Sequence, residues 1–321
     1  MKKKISLLLI TSLLFGTFAG CTSSSPVSKT GFYFDTVVTI TLYDGSSKLI
    51  DDCFEICSRL DDLLNKNKSE SEISKINNLS VGDSIELSKE TLEIIELGQE
   101  YYEKSNGALS LYCGQVTSLW DYQSDNPMVP DSADIENALN TNISDAFSIT
   151  GTSIKRVKSD TCIDVGAIAK GYIADNLRTY LLNKGVKKAL INLGGNIVCI
   201  TDNDLDTFNI GIQKPFSNDG EVITSVKLRN GSVVTSGTYQ RYFEADGKVY
   251  HHIIDLNTGY PCDNDLNSVS IICYDSSMAD ALSTVVFLKG LDEGLKYVEA
   301  IDDVEAIFID KADNIYKTSG L

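Results

Sequence analysis

The stretch ALINLGGNIVCI, residues 189–200, decides the fold. Its two halves, 189–191 and 196–200, have the aliphatic and β-branched residues of buried strands, and Gly194 and Gly195 between them permit a tight turn. Two antiparallel strands joined as a hairpin are therefore predicted here. The paired glycines equally suit a backbone left bare so that a flat or bulky ligand can lie against it, and the sequence alone leaves both interpretations open.

Strand-like segments continue on both sides of this hairpin. One precedes it at 31–43, and others follow at 208–212, 222–228, 232–235, 241–244, 250–254, 269–273, 305–309 and 315–318. Apolar residues at helical spacing predict helices at 51–64, 88–104, 131–139, 168–183, 277–288 and 292–301, with a loop-rich region at 106–130. Hairpin-connected strands with separate helices indicate an α+β fold, with mixed, largely antiparallel sheets and flanking helices, rather than a doubly wound sheet.

The first twenty residues have the pattern of an export signal. Three lysines at positions 2–4 precede an apolar run that is too short for a permanent membrane span. Small residues then lead to Cys21, as in lipoprotein signals, although an ordinary cleaved signal is the alternative. We expect a signal peptide at 1–20, a lipid on Cys21, a serine-rich tether at 21–30 and one globular unit at 31–321. This chain would be anchored to the extracytoplasmic face of the cell membrane.

Charge and cysteine spacing exclude several classes of function. The formal charge is −17, and removal of the three signal lysines makes it −20, which argues against nucleic-acid binding because both partners would be acidic. Seven cysteines remain after Cys21, an odd number, and several lie in apolar strand-like runs where cysteine packs as a small hydrophobe. The sequence has no pair of CxxC motifs, so structural zinc is not expected. Cys53 and Cys57, four residues apart, are the one pair of cysteines close enough in sequence to test for a local contact.

Residues 164–175, DVGAIAKGYIAD, predict a turn between a strand and a helix. Gly166 permits the turn, and the small residues after it would let a phosphate approach the N–H groups at the helix start, close to Lys170. The spacing matches neither a P-loop nor the common dinucleotide fingerprint. The plain alternative is an ordinary turn with Lys170 extended into water.

The two histidines of the chain, His251 and His252, are adjacent in a strand-like segment. Neighbours in a strand point to opposite faces, so at most one of them can serve an inward-facing site. A histidine there would be a candidate general base, and the alternative is a structural histidine.

Asp280, Ser283 and Thr284 are three and four residues apart and share one face of the helix predicted at 277–288. A carboxylate and two hydroxyls are hard oxygen ligands that suit Mg²⁺, which completes its shell with water or phosphate. The alternative is a capping box, in which Asp280 and Ser277 only satisfy N–H groups at the start of the helix.

From about residue 34 to its end, the chain resembles the ApbE family of FAD:protein FMN transferases. The resemblance is carried by the ordered set DxGAIAKGYxxD at 164–175, INxGGN at 191–196, SGTYxRYF at 236–243, HIIDxxTGxP at 252–261 and ADALST at 279–284. It implies an ApbE-like, T-fold-related architecture and places Mg²⁺ between the flavin pyrophosphate and the ADALST helix. The implied metal ligands are Asp280, Ser283, Thr284 and a backbone oxygen of Ala167.

The resemblance also implies roles for other residues. Asp164 and Lys170 would contact FAD, Ile254 would touch the flavin through its main chain, and His252 would be the general base beside the catalytic Asp280. Three places that help to hold the rings depart from the family pattern: Phe34, in place of the start of MGT; Asn67, where an aromatic residue is common; and Ala108, Leu109 and Ser110, where the family has AFD. The ring-binding geometry is therefore open, although all five residues are expected FAD contacts.

The implied reaction is attack by a threonine hydroxyl of a target protein on the FMN phosphorus of FAD, which leaves a phosphoester-linked FMN and releases AMP. Targets of this family are often membrane-bound redox subunits with extracytoplasmic domains, and these are the expected partners besides FAD. One alternative is a Mg²⁺-dependent FAD pyrophosphatase, in which water replaces the threonine. Another is a solute-binding lipoprotein without enzymatic activity.

Overall fold

A computed structural model describes residues 25–122, 124–203, 206–217 and 220–321. Its helices are α1 Ser47–Leu64, α2 Glu72–Asn77, α3 Lys89–Lys104, α4 Gly114–Leu119, α5 Ser132–Leu139, α6 Ala169–Asn183 and α7 Ser276–Glu299. Its strands are β1 Val27–Tyr33, β2 Thr36–Leu42, β3 Ser84–Glu86, β4 Phe147–Thr150, β5 Ser153–Arg156, β6 Lys188–Leu193, β7 Asn196–Thr201, β8 Phe208–Gln213, β9 Val222–Leu228, β10 Gly231–Gly237, β11 Tyr242–Ala245, β12 Lys248–His251, β13 Ile254–Asp255, β14 Tyr260–Pro261, β15 Leu266–Cys273, β16 Glu305–Asp310 and β17 Ile315–Lys317.

An eight-stranded sheet forms the centre of the fold, in the order β1-β2-β6-β7-β10-β15-β16-β17, with every neighbouring pair antiparallel. The hairpin predicted from residues 189–200 is β6–β7, in which Leu193 pairs with Asn196 across the turn. The separate helices and antiparallel sheets confirm the predicted α+β class.

Both faces of the central sheet are covered, which explains why β15 is buried along its whole length. Val269 and Ile271 belong to a core shared with α1, α6 and α7, whereas Ile272 belongs to a second cluster under the β8–β9 hairpin. Side chains of a strand alternate between faces, so one apolar run can serve two cores. The sheet is thereby held rigidly between the helices and the hairpin.

Several elements differ from the sequence-based prediction. The segment predicted as one strand at 31–43 is the β1–β2 hairpin, and β1 begins at Val27, so the last four residues of the predicted tether belong to the sheet. The loop-rich region contains α4. The two helices predicted at 277–288 and 292–301 are one element, α7, with a break at Gly290, whose φ of 75° is left-handed.

The cysteines after Cys21 are free thiols, and Cys53, Cys57, Cys199 and Cys273 are buried. Burial raises the pKa of Cys53 and of Cys57 to about 12, which suits packing rather than chemistry. Cys21 and the signal peptide lie outside the described residues. Among the residues that are described, no helix combines the length and apolarity needed to cross a membrane.

Candidate active site

A cavity of about 760 Å³ opens beside the start of α6, and most of the predicted site residues lie on its wall. Those on the wall are Phe34, Asn67, Ala108, Leu109, Ser110, Asp164, Ala167, Lys170, His252, Ile254, Asp280 and Thr284. Ser283 is buried behind the wall, and Cys21 lies outside the described residues. Segments that are up to 250 positions apart in the chain thus converge on one space large enough for a dinucleotide.

Asp164 organises the wall at the turn that leads into α6. Its carboxylate lies 2.7 Å from Lys66 Nζ, and it accepts hydrogen bonds from Thr117 Oγ1 at 2.7 Å and from Gly166 N at 2.9 Å. Burial alone would raise the pKa of Asp164, but the Lys66 ammonium and these donors outweigh it and hold the pKa below its ordinary value. Asp164 is therefore an anion that fixes Lys66 at the cavity surface.

The start of α6 receives its N-terminal cap from another helix. Ile168 at the N-cap position makes no side-chain cap, and Asp280 Oδ2 instead accepts a hydrogen bond from Gly171 N at 2.8 Å. Lys170 Nζ lies 3.5 Å from Asp280 Oδ1. A Cβ atom at position 171 would lie 2.3 Å from Ser276 O, so only glycine permits this approach of α6 to α7.

The two helices cap each other. Asp175 of α6 accepts hydrogen bonds from the main-chain N–H groups of Ser276 (3.0 Å) and Ser277 (2.8 Å) at the start of α7. The N-cap of α7 is Asp275, whose carboxylate accepts from Met278 N, so the capping-box interpretation of Asp280 is wrong. Asp280 does cap N–H groups, but they belong to α6.

Replacing Asp175 by alanine should reduce the free energy of unfolding by about 2–4 kcal/mol, because the Ser276 and Ser277 N–H groups lose their acceptor and the buried Arg178 loses its carboxylate partner. Urea unfolding at pH 7.5 measures this.

Burial, followed by the nearby Asp275 charge, raises the pKa of Asp175 from 3.8 to about 6. The stability that protonation adds is complete below pH 3.8 and is lost as the pH rises through 6. The Asp175→Asn variant should lack this pH dependence of stability. If the variant shows the same pH dependence as the wild type, the raised pKa of Asp175 is contradicted.

The two histidines have different environments, but the predicted strand that would contain both is wrong, because β12 ends at His251 and His252 follows it in a bend. His251 is buried, its Nε2 lies 3.0 Å from Cys262 O, and its Nδ1 accepts from Ile253 N at 3.3 Å. His252 lies on the cavity wall, with Nδ1 3.3 Å from Arg241 O. A carbonyl can only accept, so Nδ1 of His252 carries the proton and Nε2 is the basic atom. Burial, reinforced by Arg241 and Lys170, lowers the pKa of His252 to about 3.

The predicted metal donors form a set of hard oxygens. The Asp280 carboxylate, the Thr284 hydroxyl and the Ala167 main chain are at the cavity, whereas the Ser283 hydroxyl donates to Asp280 O at 2.9 Å and lies 2.8 Å from Ser236 Oγ. Burial raises the pKa of Asp280, against the opposing effect of Lys170. Mg²⁺ is commonly held by one or two carboxylates together with substrate phosphates. The residues at the cavity fit that pattern, and Ser283 supports the wall from behind.

The residues predicted to hold the rings also line the cavity. Phe34 and Asp35 form the β1–β2 turn with φ values of 52° and 56°, a conformation that non-glycine residues rarely adopt and that is often found at functional sites. Ser110 Oγ donates to Asn142 Oδ1 at 2.7 Å and accepts from Tyr112 N, so its hydroxyl is occupied within the protein. Its neighbours Ala108 and Leu109 present an apolar surface to the cavity.

Sequence reasoning assigned no role to four cavity residues: Lys66, Thr117, Tyr239 and Arg241. Lys66 and Thr117 lie in segments without a motif, and only the tertiary contact with Asp164 brings them to the site. Tyr239 and Arg241 lie in the quoted SGTYxRYF segment. Their membership of that motif was the available signal.

Comparison with known proteins agrees with this geometry. The model of the ApbE family matches residues 34–308. A FAD:protein FMN transferase of Klebsiella pneumoniae is 37% identical over 284 residues, 88% of each chain, and one of Treponema pallidum is 29% identical over 85% of this chain and 80% of its own. The crystal structure of the ApbE protein of Thermotoga maritima superposes with a TM-score of 0.83 at 28% identity, covering 92% of this chain and 98% of its own. The apo flavinyl transferase ApbE of Pseudomonas stutzeri gives 0.79 at 26% identity, with coverages of 92% and 95%. The chain belongs to the ApbE family.

Proposed function

We propose that the protein is an FAD:protein FMN transferase that attaches FMN through a phosphoester bond to a threonine of an acceptor protein and releases AMP. The observation that carries the proposal is the convergence of Lys170, His252 and Asp280 on one cavity, although they come from three separate motifs. Relatives and structural neighbours that carry this name over most of the chain support it.

The start of α6 is the binding site for the pyrophosphate of FAD in this proposal. Lys170 lies at the cavity, and the positive end of the α6 dipole attracts phosphate oxygens. Lys66, held by Asp164, adds a second positive charge on the same wall. These cations would offset the charge that develops on the phosphate oxygens as the bond to the leaving group breaks.

His252 is the proposed general base. In the step itself, the threonine Oγ forms a bond to the FMN phosphorus, the bond from that phosphorus to the AMP oxygen breaks, and the threonine proton moves to His252 Nε2. Burial lowers the pKa of the imidazole to about 3, so it is neutral at physiological pH with Nε2 unprotonated, and the phosphate charges of bound FAD would raise its basicity. Nδ1 of His252 donates a hydrogen bond to Arg241 O, which orients the ring and leaves Nε2 as the available nitrogen.

Mg²⁺ is the proposed metal, and Asp280, Thr284 and the Ala167 main chain are the groups that would hold it. When bound, the ion would supply Lewis-acid stabilisation of the phosphate oxygens. Asp280 has a second duty, since its other oxygen caps α6. The phosphate-binding helix and the metal position are therefore held by one side chain.

We also propose that the protein acts on the outer face of the cell membrane, anchored by a lipid on Cys21, and that its acceptors are membrane redox proteins with extracytoplasmic domains. The signal-like pattern of residues 1–21 supports the anchor. Membrane fractionation of the producing cells tests it, because the Cys21→Ser variant should move to the soluble fraction. Retention of that variant in the membrane would contradict lipidation.

The transfer reaction can be tested with the chain lacking residues 1–21, FAD, Mg²⁺ and a redox subunit produced without its threonine-linked FMN. A fluorescent band that survives denaturation, together with one AMP per FMN attached, is expected, and chelation of Mg²⁺ should abolish both. Free FMN and AMP without a labelled band would favour the pyrophosphatase. If neither labelled protein nor free FMN and AMP forms, both enzymatic functions are contradicted.

A further inference from the structure

Three aromatic side chains form a patch that reaches the cavity through Tyr239, and we call it the rim patch: Phe216, Tyr239 and Tyr242. The Phe216 ring meets Tyr242 edge-on at a centroid distance of 5.3 Å and Tyr239 at 6.1 Å. Phe216 is 48% exposed and Tyr242 39% exposed. The patch therefore presents ordered apolar surface to the outside of the molecule.

The rim patch is continuous with the catalytic part of the cavity. Tyr239 lies on the cavity wall, and so does Arg241, which stands next to Tyr242 in the chain. The carbonyl of Arg241 accepts a hydrogen bond from His252 N at 3.1 Å and lies 3.3 Å from His252 Nδ1. One short segment thus positions the proposed base and carries two of the three aromatic rings.

Folding alone gives no reason for an exposed phenylalanine at position 216. The residue lies in the β8–β9 connection with a φ of 53°, in the left-handed region where a phenylalanine is strained and glycine or asparagine is relaxed. Strained backbone and exposed apolar surface both occur preferentially at binding sites. Here the two coincide beside the cavity.

We propose that the rim patch binds the polypeptide of the acceptor protein next to its reactive threonine. The inference rests on the proposed transferase function. The threonine hydroxyl has to reach His252, and Arg241, which contacts His252, stands next to Tyr242 and two residues from Tyr239, so the chain that carries the threonine would pass this segment. An extended chain advances about 3.3 Å per residue, so the patch would contact an apolar side chain within about three residues of the threonine. Aromatic rings supply contact area of this kind at low entropic cost.

The test compares Phe216→Asn, Tyr242→Thr and the double variant with the wild type. Asparagine tolerates the left-handed backbone, and threonine suits the strand, so each variant should fold. The matched control is Tyr316→Thr, another partly exposed strand tyrosine, on the far edge of the sheet. The probe is the soluble threonine-bearing domain of a redox subunit, produced without flavin. The KM for this domain should rise about tenfold in the double variant, while the KM for FAD and the control variant stay within twofold of wild type.

A direct binding titration of the same domain separates this inference from the transferase function. If the wild type binds the domain and the double variant binds it at least fivefold more weakly, the patch is the docking site even where no FMN is transferred. An unchanged dissociation constant would overturn the inference. So would a parallel loss of FAD affinity, which would assign the patch to the flavin, or a loss of binding to phosphatidylglycerol vesicles in place of the acceptor domain, which would assign it to the membrane.

Discussion

Replacing Asp280 by asparagine is expected to lower kcat for FMN transfer at least a hundredfold, with little loss of stability. The asparagine Oδ1 can still accept the hydrogen bond from Gly171 N, so α6 keeps its cap. The negative charge is lost, and with it the one carboxylate at the cavity that pairs with Lys170 and would hold Mg²⁺. Loss of a group that stabilises developing charge typically costs two to three orders of magnitude in rate.

The measurement is kcat at saturating FAD and Mg²⁺, together with the urea midpoint of unfolding. Asp275→Asn, on the same helix and five residues away, is the matched control, because asparagine remains a good N-cap and still accepts from Met278 N. The control should keep nearly full activity. If Asp280→Asn retains more than a third of the wild-type kcat, Asp280 only holds α6 in place.

Replacing His252 by glutamine is expected to lower kcat about a hundredfold, because a positioned general base contributes roughly 10²–10⁴ to a proton transfer. The glutamine is close in size but cannot take the threonine proton. His251→Gln is the control, since a glutamine amide can still donate to Cys262 O. That control should reduce stability and leave kcat within about threefold of wild type, and equal losses in the two variants would contradict the separate roles of the histidines.

The pH dependence gives a second test of His252. Its folded-state pKa of about 3 lies below the ordinary 6.5, so the basic, neutral form persists as the pH falls. Between pH 8 and pH 5, kcat/KM for FAD, which reports the free enzyme, should therefore change little on account of this residue. A decline centred near pH 6.5 that disappears in His252→Gln would show that the imidazole is solvated and not held in the buried environment described above.

Local sequence patterns were sufficient for most of the central sheet. The β6–β7 hairpin and β16 lie where apolar strand-like runs, and for the hairpin a glycine pair, predict them, because these signals act between near neighbours. The β1–β2 turn was missed because the first of its two left-handed residues is Phe34, a bulky residue that turns rarely use at such a position. The surrounding fold imposes that conformation, and no pattern within the segment reveals it.

The site shows the same division. Lys170, His252 and Asp280 could be singled out because each lies in a motif, and all three line the cavity. The partner of Asp280 could not, since the N–H group that it caps is 109 positions away in the chain. Ser283 has the right spacing on the helix to face the same way as Asp280, yet its hydroxyl is used internally by Asp280 O. Helical periodicity predicts which way a side chain faces, but it does not predict whether that side chain reaches the cavity or is buried behind its wall.

The position of β1 limits how far from the membrane surface the proposed enzyme can act. The strand runs from Val27 to the turn at Phe34 that lines the cavity, a length of about 23 Å, so the chain enters the domain at the end remote from the cavity. Val27 lies six positions after Cys21, a distance of at most about 20 Å along the chain. A lipid on Cys21 would confine the cavity mouth to a layer within about 40 Å of the headgroups. Threonines carried farther from the bilayer than this layer would be out of reach, whatever sequence surrounds them.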